Sequence, residues 1–235
     1  MARIIDIISK RTARVLDKED KELYHEVFRK TAEKYGKYSL AYKTITSEID
    51  AKNVIGSQFC WNTNLGLYLP KNQRVISLED MELIKDLDED FFEGFYSDTP
   101  EIILRTENSF YDENKYIMEN LVKQVRAEKY VFDSENPLRI SGLELVKDEN
   151  SENEDGLLLK IGDNTKMIND ERFAYSNDGK QIPFGRKHKM IHTREDRLSG
   201  VYWDRNDDLC SMNDVLANSN HNGRVVVVDV EGAAA

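Results

Sequence analysis

Between residues 17 and 35, Leu23, Val27, Phe28, Ala32 and Tyr35 recur near the spacing of one helix face, with Asp17 able to cap the start and Gly36 to close the end. The pattern predicts a helix there. Residues 39–69, rich in Tyr, Thr and Ile with Gly56 and Gly66 between them, read instead as strands and turns. Ser77-Leu78-Glu79-Asp80 has the form of a capping box, and Leu78, Met81, Ile84 and Leu87 then supply one apolar helix face. A further helix is expected over residues 109–128, with Tyr116, Ile117, Leu121, Val122 and Val125 inward, and a short strand over 101–105 before it. Residues 138–146 and 156–161 predict a hairpin around the acidic run 148–155, which has no internal glycine to shape a metal loop and reads as hydrated. Residues 169–194 are polar and read as a long surface excursion. The consecutive valines Val225 to Val228 predict a closing strand over 224–230, buried on both faces in the middle of a sheet.

This mixture defines an α+β chain with mixed and antiparallel sheets, two or three helices and long irregular loops. No internal repeat or Pro/Gly/Ser linker divides it, so one continuous domain over residues 52–231 is expected, with residues 1–51 a helical segment packed on or preceding it. At 235 residues and 40% apolar composition the chain can bury a substantial core. A formal charge of −11 and a pI near 5.0 argue against a nucleic-acid partner. Cys60 and Cys210 stand far apart, so no disulfide framework is indicated. Near the start, Ile4, Ile5, Ile7 and Ile8 are interrupted by Arg3, Asp6 and Lys10, which excludes a signal peptide or a membrane span there.

The composition changes near the C-terminus. Residues 196–230 contain no Lys, Glu or Gln, whereas about seven would be expected from their share of the whole chain. Short polar residues crowd this stretch instead, between Trp203 and the valine run. The segment Leu198-Ser199-Gly200-Val201-Tyr202-Trp203-Asp204-Arg205, the scattered Asn, Asp and Ser after it, and Gly223-Arg224-Val225-Val226-Val227-Val228 resemble the variable protein of an archaeal or viral diversity-generating retroelement. Asn64-Leu65-Gly66-Leu67-Tyr68-Leu69-Pro70, Ile76-Ser77-Leu78-Glu79-Asp80, Ser97-Asp98-Thr99-Pro100-Glu101-Ile102 and Ile140-Ser141-Gly142-Leu143-Glu144 are similar to it as well, so the resemblance runs from about residue 62 onward.

The resemblance implies a C-type lectin fold of the subtype also seen in the formylglycine-generating enzyme, with a variable region over about 198–224. In that family a reverse transcriptase copies a template repeat with errors at adenines. Asn codons AAC and AAT altered at their adenines never yield Lys, Glu, Gln, Met or Trp, which matches the missing trio. Trp203 is then fixed scaffold, and Met212 is either fixed or encoded by a different codon. The implied ligand-binding residues are Tyr202, Asp204, Asn206, Asp207, Asp208, Cys210, Ser211, Asn213, Asp214, Asn218, Asn220, His221 and Asn222. Trp203, Leu209, Leu216, Gly223, Arg224, Val225 and Val227 are the implied scaffold, with Leu198, Val201, Val226 and Val228 completing its core. The expected function is non-enzymatic recognition of a variable macromolecular ligand, a protein or a glycan on a cell surface, with the protein on a virion or cell surface and acting in host attachment. The Tyr, Ser and Asn mixture suits a paratope-like surface.

Other chemistries are weaker. Neither thiol has a written activating environment, as a formylglycine-generating-type enzyme would need. Asp204-x-Asn206-x-Asp208 begins like an EF-hand loop but has Leu209 where glycine is required and Val215 where a bidentate Glu belongs. No cofactor is expected, although other carboxylate and amide arrangements of a lectin-like fold leave room for Ca²⁺ and Ca-dependent carbohydrate binding. His188 and His192 sit among Lys187, Lys189 and Arg194 and read as surface residues.

Overall fold

Asp17 accepts the amide of Glu19, and Asp20 accepts that of Asp17, a reciprocal cap that opens a 3-10 turn leading into the first helix. The computed structural model describes residues 3–7, 11–105, 115–149, 155–174, 182–184, 189–193, 198–204, 209–213 and 216–230. Before that cap, β1 (Ile4–Asp6) and β2 (Arg11–Val15) pair antiparallel. After it, α1 (Lys21–Tyr35) buries Tyr24, Val27, Thr31 and Tyr35 and ends at Gly36, whose φ of 87° is easily reached only without a side chain.

Residues 39–69 are not strands. They form α2 (Leu40–Thr46), capped by the Ser39 hydroxyl, and α3 (Phe59–Gly66). The strand reading failed because α3 buries Phe59, Cys60, Trp61, Asn62, Asn64 and Leu65 together, so its sequence shows no single apolar stripe. Gln58 also donates its amide hydrogens to the carbonyls of Thr44, Ile45 and Ser47, satisfying the end of α2 from a distance.

Next come β3 (Gln73–Val75) and α4 (Leu78–Leu87), where Ser77 and Asp80 make the expected capping box. Leu87, expected inward, is 54% exposed. β4 (Ser97–Leu104) starts earlier than the short strand expected, and α5 (Lys115–Ala127) buries Ile117, Leu121, Val122 and Val125 as anticipated. The start expected for that helix lies outside the described residues.

The hairpin reading needed one correction. Gly142, at φ 70°, turns the chain where a Cβ would collide with the Asn164 carbonyl, splitting the run into β5 (Leu138–Ser141) and β6 (Glu144–Lys147). Only β6 pairs with β7 (Leu157–Lys160), whereas β5 lies between β4 and β8 (Lys166–Asn169). Most of the acidic run between β6 and β7 lies outside the described residues. The excursion over 169–194 is also partly sheet. It contributes β9 (Ile182–Phe184) and β10 (Lys189–Thr193), and Phe173 is fully buried. His192 falls in β10, and His188 lies outside the described residues.

The chain closes with β11 (Ser199–Trp203), β12 (Leu209–Asn213) and β13 (Val226–Val230). Two main sheets result, ordered β1-β2-β13-β3 and β8-β5-β4-β11-β12-β10-β9, with β6-β7 as a separate pair. All pairings between the described strands are antiparallel except β10 with β12, so the class is α+β, with five α-helices among the described residues rather than two or three. β13 is an interior strand, its valines between β2 and β3, and Val225 to Val228 are fully buried, which removes enough apolar surface to contribute about 1.5–3 kcal/mol each. Because β2 is a partner of β13, residues 11–15 are part of a sheet with the C-terminal strand, and the first 51 residues contain strands as well as helices. No helix among the described residues is long and apolar enough to cross a membrane.

Candidate recognition surface

The end of the seven-stranded sheet where the start of β4 meets the end of β11, its neighbour β12, and the loop from Leu216 to Arg224 carry the described part of the implied binding set. Trp203 ends β11 with no exposed surface, stacked on Phe92 at 5.4 Å between ring centroids, with the Lys85 ammonium 5.3 Å from its own. Leu198, Val201, Leu209 and Leu216 are likewise buried. The pairing of β11 with both neighbours shifts between Gly200 and Tyr202. On the β4 side the irregularity spans Pro100, which has no N–H for the ladder, and the Thr99 hydroxyl donates to the Val201 carbonyl at 2.9 Å instead.

Two implied contact residues are buried. Cys210 is 1% exposed and Ser211 is fully buried, so neither is displayed. Cys210 stands opposite Tyr202 in the ladder, and Ser211 lies on the other face, where the Arg105 guanidinium donates to the Ser199 hydroxyl at 2.8 Å, the Ser211 hydroxyl at 3.0 Å and the Phe173 carbonyl at 3.2 Å. Ser211 is thus a partner of a buried cation, and losing it would strand polar groups in the core. Tyr202 and Asp204 are half-buried, and burial pushes the Tyr202 phenol up, with Cys210 and Asp98 adding to it. Asn213 belongs to β12 by its backbone, while Asn206, Asp207, Asp208 and Asp214 lie outside the described residues.

The loop from Leu216 to Arg224 gives the clearest geometry. Asn218, Asn220 and His221 are exposed and Asn222 is half-buried. Their backbone is held by groups from elsewhere. The Ser219 hydroxyl, 2% exposed as a residue, accepts the Ser57 amide at 2.9 Å, and the Ser219 amide donates to Glu48 at 3.2 Å. The Tyr96 hydroxyl accepts the Asn220 amide at 2.7 Å, and its backbone exchanges hydrogen bonds with Asn222 and Arg224. Gly56 donates to the Gly223 carbonyl at 2.9 Å, and Cys60 to that of Leu216 at 3.2 Å. Gly223 is required by crowding: a Cβ there would stand 2.5 Å from the Ser57 nitrogen and 2.7 Å from the Tyr96 hydroxyl. Among the exposed side chains one local bond appears, from the Asn222 amide to Asn220 Oδ1 at 2.8 Å. Arg224 is half-buried and donates to the His221 and Gly223 carbonyls.

Ser57, Tyr96 and Glu48 were not legible as part of this site. They are far from the loop in sequence, and each residue type is ordinary at its position. The support also contains two non-glycine residues at positive φ, Glu48 at 56° and the buried Val54 at 57°, the latter unusual for a branched side chain.

Below the loop, Asp98 is 2% exposed. Its amide donates to Ser57 Oγ at 2.9 Å, Asn62 donates to its carbonyl at 2.7 Å, and its Oδ2 has no partner among the described residues. Burial pushes the carboxyl up to about 7, partly offset by Ser57. Cys60 is also buried and its thiol is raised by burial. No group of three or more His, Cys, Asp or Glu able to hold a metal occurs among the described residues.

Away from this face, a cleft of about 670 Å³ opens over β4, β5 and β8. Its floor carries Arg139, which donates to Glu101 at 2.7 Å and Glu79 at 2.5 Å and lies 3.1 Å from Asp170. Comparison of the chain with protein-family models, with curated proteins and with solved structures finds no match in any of the three.

Proposed function

We propose that this chain is a non-enzymatic recognition protein of the C-type lectin fold. Within that class it is the variable protein of a diversity-generating retroelement, acting in attachment to a protein or glycan on a cell surface. The observation that carries the reading is the division of labour in the loop from Leu216 to Arg224: exposed Asn218, Asn220 and His221 ride on a backbone fixed by Ser57, Tyr96, Ser219 and Gly223. Asn218 and His221 make no side-chain hydrogen bond among the described residues and can be exchanged at about ±0.5 kcal/mol each, which is the physical condition for diversification, whereas Asn220 also accepts the Asn222 amide. The proposed contact set is Tyr202, Asp204, Asn218, Asn220, His221 and Asn222, with Asn206, Asp207, Asp208, Asn213 and Asp214 from the adjoining segments. Cys210 and Ser211 leave it on grounds of burial. A protein partner of ordinary size would cover about 800 Å² of this side.

The decisive experiment is at the level of the gene. Sequencing its flanks should reveal a reverse transcriptase and a near-copy of the segment encoding residues 198–224 that differs at adenine positions. A genome with no such template, or a template differing at other bases, would remove the diversification claim.

A further inference from the structure

The edge strand β8 has an outer ladder that meets no partner strand among the described residues. Asp170 donates its amide to the Pro137 carbonyl at 2.9 Å, which makes that pair a hydrogen-bonded one in the antiparallel β5–β8 ladder. Alternation then assigns Arg139 with Ile168, and Ser141 with Lys166, as the following bonded pairs. The N–H and C=O groups of Met167 and Asn169 therefore face away from β5, at the outer end of the seven-stranded sheet. Natural edges are usually blunted. At the opposite end β9 carries Pro183, which has no N–H, but β8 has neither a proline nor a bulge. Ile168 is instead 47% exposed, with Val131 at 78% and Tyr130 at 38% on the segment that Asn169 anchors through the Val131 carbonyl.

We propose that β8 of a second copy of this chain adds antiparallel to this edge, forming a two-fold dimer with one continuous sheet. The sequence Lys166-Met167-Ile168-Asn169-Asp170 is self-complementary about Ile168. Centring the axis there places Met167 opposite Asn169 of the partner subunit, so the outward N–H and C=O groups of both strands meet in phase. Ile168 faces its own copy across a non-bonded pair, where side chains come closest, and both leave water. Lys166, exposed at one end, lies across from the end of the other strand where Glu171 is exposed, Asp170 there being buried in ion pairs with Arg139 and Arg172. A different axis residue would lose either this phase or this charge match. β8 stands three strands from β11, so the recognition face stays open, and two such faces on one particle would gain avidity. The dimer stands or falls separately from the recognition reading.

The contact is short and each chain has a net charge of −11, so the dimer is of modest affinity and tightens with added salt. The test is sedimentation equilibrium of the full chain over a range of concentrations and salt. Wild type is expected to show a monomer–dimer equilibrium with Kd below about 1 mM. Met167→Pro removes an outward N–H without touching the β5 ladder and should raise Kd by roughly thirtyfold or more with an unchanged circular dichroism spectrum. Ile168→Lys, at an exposed position, should do the same by setting like charges together on the axis. Should Met167→Pro misfold, Ile168→Lys decides. A wild-type chain that is monomeric up to about 1 mM, or folded variants that dimerise as tightly as wild type, would overturn the proposal.

Discussion

Gly223→Ala tests whether the loop is held by its supports or by its own displayed side chains. The added methyl would meet the Ser57 amide nitrogen at 2.5 Å and the Tyr96 hydroxyl at 2.7 Å, both belonging to residues that bond the same loop. Neither neighbour is the loose end of a flexible chain. Ser57 is backbone, and the Tyr96 ring is fixed at its tip by the Asn220 amide. Relief requires the loop to move away, which threatens the Gly56-to-Gly223 hydrogen bond and the two backbone bonds between Tyr96 and its neighbours Asn222 and Arg224. Overpacking of this kind costs about 1–3 kcal/mol. In a chain of this size each kcal/mol moves the thermal midpoint by about 2–4 °C. Gly223→Ala should therefore lower the midpoint by about 2–12 °C in differential scanning calorimetry, whereas Asn218→Ala and His221→Ala, made together, should move it by no more than about 4 °C. Equal losses from the two variants would mean that the exposed side chains hold the loop, and the argument for free exchange would fail.

Asp98 gives a pH signature: its folded pKa of about 7 lies above the ordinary 3.8, so its contribution is fully favourable below 3.8 and is lost as pH rises through 7. Asp98→Asn should thus stabilise the protein at pH 8 relative to pH 5, by at most about 3 kcal/mol, and urea unfolding of both proteins across that range would reveal a wild-type slope that the variant lacks. Arg139→Met leaves Glu101 buried beside an apolar side chain and should cost about 3–5 kcal/mol, read as a shift of the urea midpoint; an unchanged midpoint would mean that the ion pairs contribute nothing net. Cys60 and Cys210 should resist a water-soluble thiol reagent in the native protein and react fully in denaturant, since they are 3% and 1% exposed; rapid labelling of the native chain would contradict their burial.

Local signals were legible wherever one residue determines its own neighbourhood. Asp17 and Ser77 announced helix starts, Gly36 announced an end, and the run from Val225 to Val228 announced an interior strand because only a strand covered on both faces is apolar at every position. The Trp203 anchor and its apolar companions could be picked out for the same reason. The segment 39–69 could not, because α3 is buried on nearly every side and helical periodicity vanishes when no face meets water.

By itself, the sequence determined the mixed class, the central valine strand, the apolar support of the C-terminal segment and its peculiar polar composition. Only the tertiary structure decided which polar residues are offered to a partner and which are consumed inside. Ser211 and Asn218 are both short polar residues in the same stretch, yet the first is buried with Arg105 and the second faces solvent. That difference arises from residues brought close by folding, Arg105 under one and Ser57 and Tyr96 beside the loop that holds the other, and contacts between positions so distant in the chain leave no local pattern to read.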